Sequence, residues 1–367
     1  MSSVDSVQQS LAVRCRRSRW PVANYYSTSY VVDEVVSLNA IIGCVMYVDS
    51  IVVADGAASQ TNESRPGSAR CPLPDFPNAE LVVDAMDRVG AQRAERIVIE
   101  EIDRLDRMFR ADDASSLMCR WIRHAPVATS NEFDELLSIA LRWQDLSGGV
   151  FNVSTGRLAR VWEHAAADGC RPSAGELREI AVDIARAPYQ FDGHLLRQVR
   201  SCGDLDLRAI VPGFIADLAV DAAWRLCDLR ALTLRADTIV VHRGVASARV
   251  PLGAASEYLA NRELPFGDAA VVTRTGSRTR NVFDPRSGQR VVDAPSVTVV
   301  ASSASVAEAV ATVVTVLTLT EGREFVGVLN ASRSADDLVG SATCVAPVSV
   351  RCWWFDESGR DLGYAGP

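Results

Sequence analysis

The chain of 367 residues contains no lysine, so all 38 of its basic side chains are arginine. A lysine Schiff base, a phosphate-loop lysine and a serine–lysine dyad are thereby excluded. Histidine is scarce as well. His124, His164, His194 and His242 show no ligand spacing and read as structural or surface groups. Of the four, His242 falls on an expected strand and is the one able to enter a site from elsewhere in the chain. The nine cysteines include no Cys-x-x-Cys pair, which excludes a zinc knuckle, and their odd number excludes a complete disulfide framework. Read as small buried hydrophobes, they favour a reducing compartment, and a cytoplasmic location is expected. No Gly-x-Gly-x-x-Gly follows a strand, and no run reaches the roughly 18 apolar residues of a membrane span.

What is present is enough for a full core, since 48% of the residues are hydrophobic and 23% charged. The formal net charge of -8 comes with scattered, not clustered, arginines, so the surface repels phosphate backbones and no nucleic-acid partner is expected. Near the N-terminus, Arg14, Arg16, Arg17 and Arg19 precede Ile41-Ile42-Gly43-Cys44, a stretch that resembles a lipobox. The residues between carry Asp33, Glu34, Ser37 and Asn39, where an export signal needs about 7–15 apolar residues. A membrane-anchored lipoprotein through Cys44 is therefore the alternative to the cytoplasmic reading.

Residues 1–77 read as an N-terminal extension that ends in a linker at 56–77, rich in Ser, Asn, Gly and Pro, and residues 78–367 as one domain. Leu81-Val82-Val83 predicts a strand. From Ala91 to Phe109, Ile97, Ile102, Leu105 and Phe109 recur at helical spacing. Asn131 to Leu146 is a second helix, capped by Ser130, faced by Phe133, Leu136, Leu137, Ala140, Leu141 and Leu146, and stopped by Gly148-Gly149. Helices are also expected at 176–184 and 216–229, strands at 237–242, 269–273 and 297–301, and a hairpin at 350–364. Ser305 to Leu319 is long enough for a helix yet rich in Val, which leaves helix and strand both open. Hairpin-like pairs that do not alternate strictly with helices point to an α+β domain.

Four segments carry chemistry. Ser147-Gly148-Gly149-Val150-Phe151-Asn152, followed by Gly156, Leu158 and Trp162, places paired glycines where a backbone can approach a flat ring or a phosphate. Ala209-Ile210-Val211-Pro212-Gly213-Phe214-Ile215-Ala216-Asp217-Leu218-Ala219-Val220-Asp221 is a strand-to-helix connection. Asn281-Val282-Phe283-Asp284-Pro285-Arg286-Ser287-Gly288 contains a proline-led turn. In Ser305-Val306-Ala307-Glu308-Ala309-Val310-Ala311-Thr312, a helix would put Glu308 and Thr312 on one face, able to converge on one hard cation.

In order and approximate spacing, these segments resemble the ApbE family of flavin transferases: its Ser-Gly-Gly-Ala-Phe-Asp, its Ile-Asp-Leu-Gly-Gly-Ile-Ala-Lys-Gly-Tyr-Ala-Val-Asp, its His-Ile-Ile-Asp-Pro-Arg-Thr-Gly and its Ala-Asp-Ala-x-x-Thr. Ser115-Ser116-Leu117 adds a weaker likeness to the family's Ser-Glu-Ile. The resemblance covers the chain from about residue 80 to its end. It implies an ApbE-like α+β fold with mixed or antiparallel sheets and packed helices. It also implies an Mg²⁺-dependent transfer of FMN from FAD to a threonine hydroxyl of an acceptor protein, with release of AMP.

Carried over residue by residue, the resemblance assigns Gly149, Val150, Phe151 and Asn152 to FAD, and Gly213 (through its backbone oxygen), Glu308 and Thr312 to Mg²⁺. Asp284 is assigned to orientation near the acceptor hydroxyl. Departures are specific. The family's FAD-contacting Asp falls on Ile210, its Lys on Ala216, its Asp on Asn152, its metal-binding Asp on Glu308 and its His on Asn281. A neutral amide takes up no proton near pH 7, so Asn281 offers no general base. Three outcomes stay open: a working FAD:protein FMN transferase, a relative that binds FAD or a partner without transferring FMN, or a domain that has lost the ligand.

Overall fold

The structure is a computed structural model and describes residues 68–72, 79–123, 129–186, 189–191, 196–198, 205–245, 248–251, 263–276, 282–331 and 349–367. In chain order its elements are β1 (Ser68–Pro72), β2 (Ala79–Ala85), α1 (Arg88–Phe109), α2 (Leu117–Ile122), α3 (Asn131–Leu146), α4 (Gly156–Ala167), α5 (Ala174–Ile184), β3 (Tyr189–Phe191) and β4 (Leu196–Gln198). Next come α6 (Val211–Leu226), β5 (Leu229–Ala236), β6 (Ile239–Gly244), β7 (Ala248–Pro251), β8 (Glu263–Phe266), β9 (Ala269–Arg274), β10 (Phe283–Asp284) and β11 (Gln289–Arg290). The chain closes with β12 (Ser296–Ala301), α7 (Ala304–Val316), α8 (Leu319–Ala331), β13 (Arg351–Phe355) and β14 (Asp361–Ala365).

Eight strands form one antiparallel sheet in the order β1-β2-β5-β6-β9-β12-β13-β14. Side chains alternate across a strand, so each residue's parity fixes its face. Leu81, Leu234, Val241, Val272, Val299 and Trp354 point to the side covered by α1, α6 and α7 and join the main core there. Val240, Val271 and Val300 point the other way into a small cluster with Trp353. A second satellite core, with Leu158, Leu177, Ile180, Ile184 and Phe283, holds α4, α5 and the β10–β11 hairpin together.

Helix α1 buries Ala91, Ala94, Val98, Ile102, Leu105 and Phe109, and the Asp87 side chain caps it at Gly90 N, 2.7 Å away. Val98 takes the buried place expected for Ile97, which is only partly covered. Burying one such large side chain contributes roughly 1.5–3 kcal/mol, so packing more than propensity holds the helix. Helix α3 has the expected bounds and cap: Ser130 Oγ accepts from Phe133 N at 3.2 Å.

The open choice at 305–319 resolves as helix α7, nearly every residue of which is buried. Helix α6 starts at Val211, five residues before the expected start, because Pro212 sits in the first turn where no N–H is needed. It ends at Leu226, and Leu229 already belongs to β5. Strand β1 lies inside the stretch expected as a linker and pairs along β2. Cys119 and Cys352 are buried, Cys227 is half-buried and Cys170 is exposed, all four as free thiols. No helix of the described residues is long and apolar enough to cross a membrane.

Candidate functional site

The N-termini of α6 and α7 meet at one end of the sheet, and a glycine lets them. A Cβ on Gly213 would lie 2.6 Å from the Ala304 carbonyl oxygen and 2.9 Å from Ser305 N, both backbone atoms that cannot step aside. One turn along α6, Asp217 reaches across: its carboxylate accepts from Ala304 N at 2.7 Å, Ser305 N at 2.9 Å and Ser305 Oγ at 2.9 Å. Those donors are among the unpaired amides that every helix start presents, here satisfied by a side chain from a different helix. Burial pushes the Asp217 carboxyl up to about 6, against the downward pull of the Ser305 and Ala304 amides and the Arg243 charge.

Glu308 lies one turn into α7, 5% exposed. The Gly213 amide lies near its carboxylate, while its Oε2 is buried with no hydrogen-bond partner among the described residues. Burial pushes Glu308 up to about 7; the Arg274 guanidinium and the Gly213 amide pull it down, and the charges of Asp217 and Asp237 push it further up. Thr312 Oγ1 donates to the Glu308 carbonyl at 2.9 Å, which spends its proton and leaves its lone pairs as possible ligand electrons. Gly213 and Glu308 are thus brought together at the start of the two helices.

These donors suit a hard cation in one respect: a buried carboxylate oxygen without a partner is costly unless something positive completes it. No cluster of three or more His, Cys, Asp or Glu suited to a metal occurs among the described residues, so Glu308 and Thr312 would share the cation with water or a phosphate.

The glycine pair after α3 performs two tasks. Gly148 and Gly149 adopt φ of 61° and 84°, and their amides close the helix on Asp145 O and Gln144 O. A Cβ at either would meet nothing within 4 Å, so conformation, not crowding by protein atoms, requires glycine there. Val150 and Phe151 bury their side chains in the main core, and Phe151 N donates to Ser147 Oγ at 2.9 Å. Asn152 Oδ1 accepts from Ser154 N at 2.8 Å in a local turn. Val153 O accepts from Asp206 N at 2.7 Å, which links this loop to the approach of α6. Ile210 and Ala216, 0% and 4% exposed, face the apolar core, so neither offers a polar contact where the expected Asp and Lys would.

Asp284 shapes its own turn, its carboxylate accepting from Arg286 N at 3.0 Å, Nε at 2.9 Å and Nη2 at 3.1 Å. Trp162 Nε1 donates to Gly288 O at 3.0 Å and the indole stacks on Phe283, so the first and third segments meet in the satellite core. Asn281 lies outside the described residues, as do His124 and His194. Ser116 caps α2 through Cys119 N, and Ser115 binds Asp113, both local roles. His242 shares the parity of Val240 and bonds Thr233 Oγ1 through Nδ1 at 2.7 Å, on the face away from the helices, so it does not join Glu308.

Sequence reasoning missed Asp217 and Arg274. The signal for the first was a lone charge inside the apolar run from Phe214 to Val220, since a carboxylate is rarely buried unless something partners it.

The described residues thus form an α+β domain, a helix-covered antiparallel sheet with a carboxylate buried where two helix N-termini meet. The sequence model of the ApbE family matches residues 79–236. The fold is similar to that of the flavin transferase ApbE from Vibrio cholerae, at a TM-score of 0.60 and 17% identity over 82% of this chain and 96% of that one. The Pseudomonas stutzeri flavinyl transferase ApbE in its apo form gives 0.59 and 16% over 84% and 96%. The ApbE protein of Thermotoga maritima gives 0.61 and 18% over 80% and 95%. No curated protein sequence matches the chain.

Proposed function

We propose that the chain is a flavin transferase that moves FMN from FAD to a threonine hydroxyl of an acceptor protein, with release of AMP and a requirement for Mg²⁺. The observation that carries this reading is the meeting of Gly213 with Glu308, whose Oε2 is left without a partner in a buried, acidic setting. In the reaction the threonine oxygen bonds to the FMN-side phosphorus, the bond from that phosphorus to the AMP oxygen breaks, and AMP leaves with the electron pair. A divalent cation bound at such a site neutralises charge on the diphosphate.

The residues do the rest by position. Glu308 and Thr312 would hold the cation from one face of α7, with the Gly213 amide near the Glu308 carboxylate. Gly148 and Gly149 give the loop after α3 a surface free of β-carbons for the nucleotide. Asp284 holds the turn that carries Arg286. With Asn281 in place of a base, the hydroxyl proton goes to solvent, a loss of about 10²–10⁴-fold in rate.

The buried apolar Ile210 and Ala216 favour a second reading, a relative that binds FAD without transferring FMN. One experiment separates the two. The purified chain is incubated with FAD, Mg²⁺ and a peptide bearing a flavinylation-type threonine, and the peptide mass and released AMP are measured. A mass gain of one FMN with stoichiometric AMP supports transfer. A rise in Tm with FAD and no mass gain supports the second reading and refutes the first.

A further inference from the structure

Arg274 ends β9 with the parity of Ala270 and Val272, and its cross-strand partner Val297 also belongs to the helix-side core. Its side chain therefore rises on the side where α7 packs over β9. Its Nε is buried and has no hydrogen-bond partner among the described residues, the same condition as Glu308 Oε2. The two groups feel each other's charge yet are not bonded to each other. A buried donor and a buried acceptor of opposite charge, both unmet on the side where α7 packs over β9, are costly unless a ligand completes them.

We propose that Arg274 is a phosphate-binding residue of this site, its Nε–H taking a phosphate oxygen of a diphosphate while Glu308 takes the cation that the diphosphate brings. The ligand class follows from the pair. An anion alone would leave Glu308 facing added negative charge, and a cation alone would face the guanidinium. A diphosphate with its divalent cation answers both, and a guanidinium fork suits phosphate oxygens. In a chain without lysine, and with Ala216 apolar, Arg274 brings positive charge to Glu308. The inference rests on the flavin transferase reading for the identity of the diphosphate as FAD, but not for the contact itself.

The test measures binding, separately from transfer. Wild type, Arg274→Gln, Arg274→Lys and Glu308→Gln are titrated by calorimetry with Mg²⁺ alone, with inorganic pyrophosphate plus Mg²⁺, and with FAD plus Mg²⁺. Arg274→Gln is expected to weaken pyrophosphate and FAD about tenfold or more, as for a lost charge-assisted contact, while Mg²⁺ alone binds as tightly as before or more tightly. Arg274→Lys restores part of the diphosphate affinity, and Glu308→Gln loses Mg²⁺. Wild type that binds neither diphosphate, or Arg274→Gln that binds both as wild type does while losing only Tm, overturns the inference. Arg274-dependent binding without any FMN transfer would leave the contact standing and sink the transferase reading; transfer with an unchanged FAD KM in Arg274→Gln would do the reverse.

Discussion

Replacing Asp217 by Ala tests whether the two helix starts are truly locked by one carboxylate. The substitution removes the acceptor for the Ala304 and Ser305 amides and the Ser305 hydroxyl. Hydrogen bonds to a charged partner contribute about 1.5–3 kcal/mol each. The cost of burying the charge, visible in a carboxyl pushed up to about 6, offsets part of that sum. Breaking such a buried charged arrangement by removing one partner costs about 3–5 kcal/mol. In a domain of this size 1 kcal/mol shifts Tm by about 2–4 °C, so a fall of roughly 6–20 °C is expected. Thermal unfolding followed by circular dichroism reads it directly. Asp217→Asn should fall between, and Ser305→Ala, which keeps both amide bonds, should lose only about 0.5–1.5 kcal/mol. If Asp217→Ala melts within about 2 °C of wild type, the cross-helix cap contributes nothing net and the reasoning fails.

Two further outcomes follow from the same region. Gly213→Ala forces a methyl onto the Ala304 backbone and should cost about 1–3 kcal/mol or more, with weaker Mg²⁺ binding at the displaced Glu308; unchanged Tm and unchanged calorimetric affinity would contradict the contact. Burial acts to raise the Asp206 carboxyl, yet the Arg208 guanidinium and amide and the Thr155 hydroxyl hold it below the usual carboxylate value. A depressed carboxylate stabilises the fold above its unfolded pKa of about 3.9 and stops doing so as pH falls through its folded value. Urea unfolding should therefore show a shallower loss of stability below about pH 4 in Asp206→Asn than in wild type; parallel curves would show that Asp206 adds nothing to the acid sensitivity.

Local signals were the readable ones. Helix α3 announced itself through Ser130, a clean apolar period and a glycine stop, all within one stretch of chain. Helix α7 did not, because a helix buried on all sides has no polar face to set a period, and its valines fit a strand equally well. The start of α6 was hidden by Pro212-Gly213, a pair that reads as a breaker until the proline is seen in the first turn. Helix α8 went unread because Gly322 and Gly327 dilute it. Gly322 is there for packing, since a Cβ would sit 3.1 Å from the Trp354 ring. Within the site, the segments around 213 and 308 were legible from resemblance to a family. Asp217 and Arg274 were not, for each acquires its role from residues that only tertiary folding brings near, and Asp217 falls on a glycine of the family pattern.

The strand order of the large sheet has a consequence for how the chain is made. Strand β2 pairs with β5, yet all of residues 86–228, including α1 through α6, lie between them. On a ribosome, β1 and β2 must wait with one edge unmatched until the far side of that helical insert has emerged. The span to be closed is long, and pairing across it is slow compared with helix formation. The growing polypeptide thus spends part of its synthesis with an unsatisfied strand exposed, the stage at which a chaperone would be of most use to it.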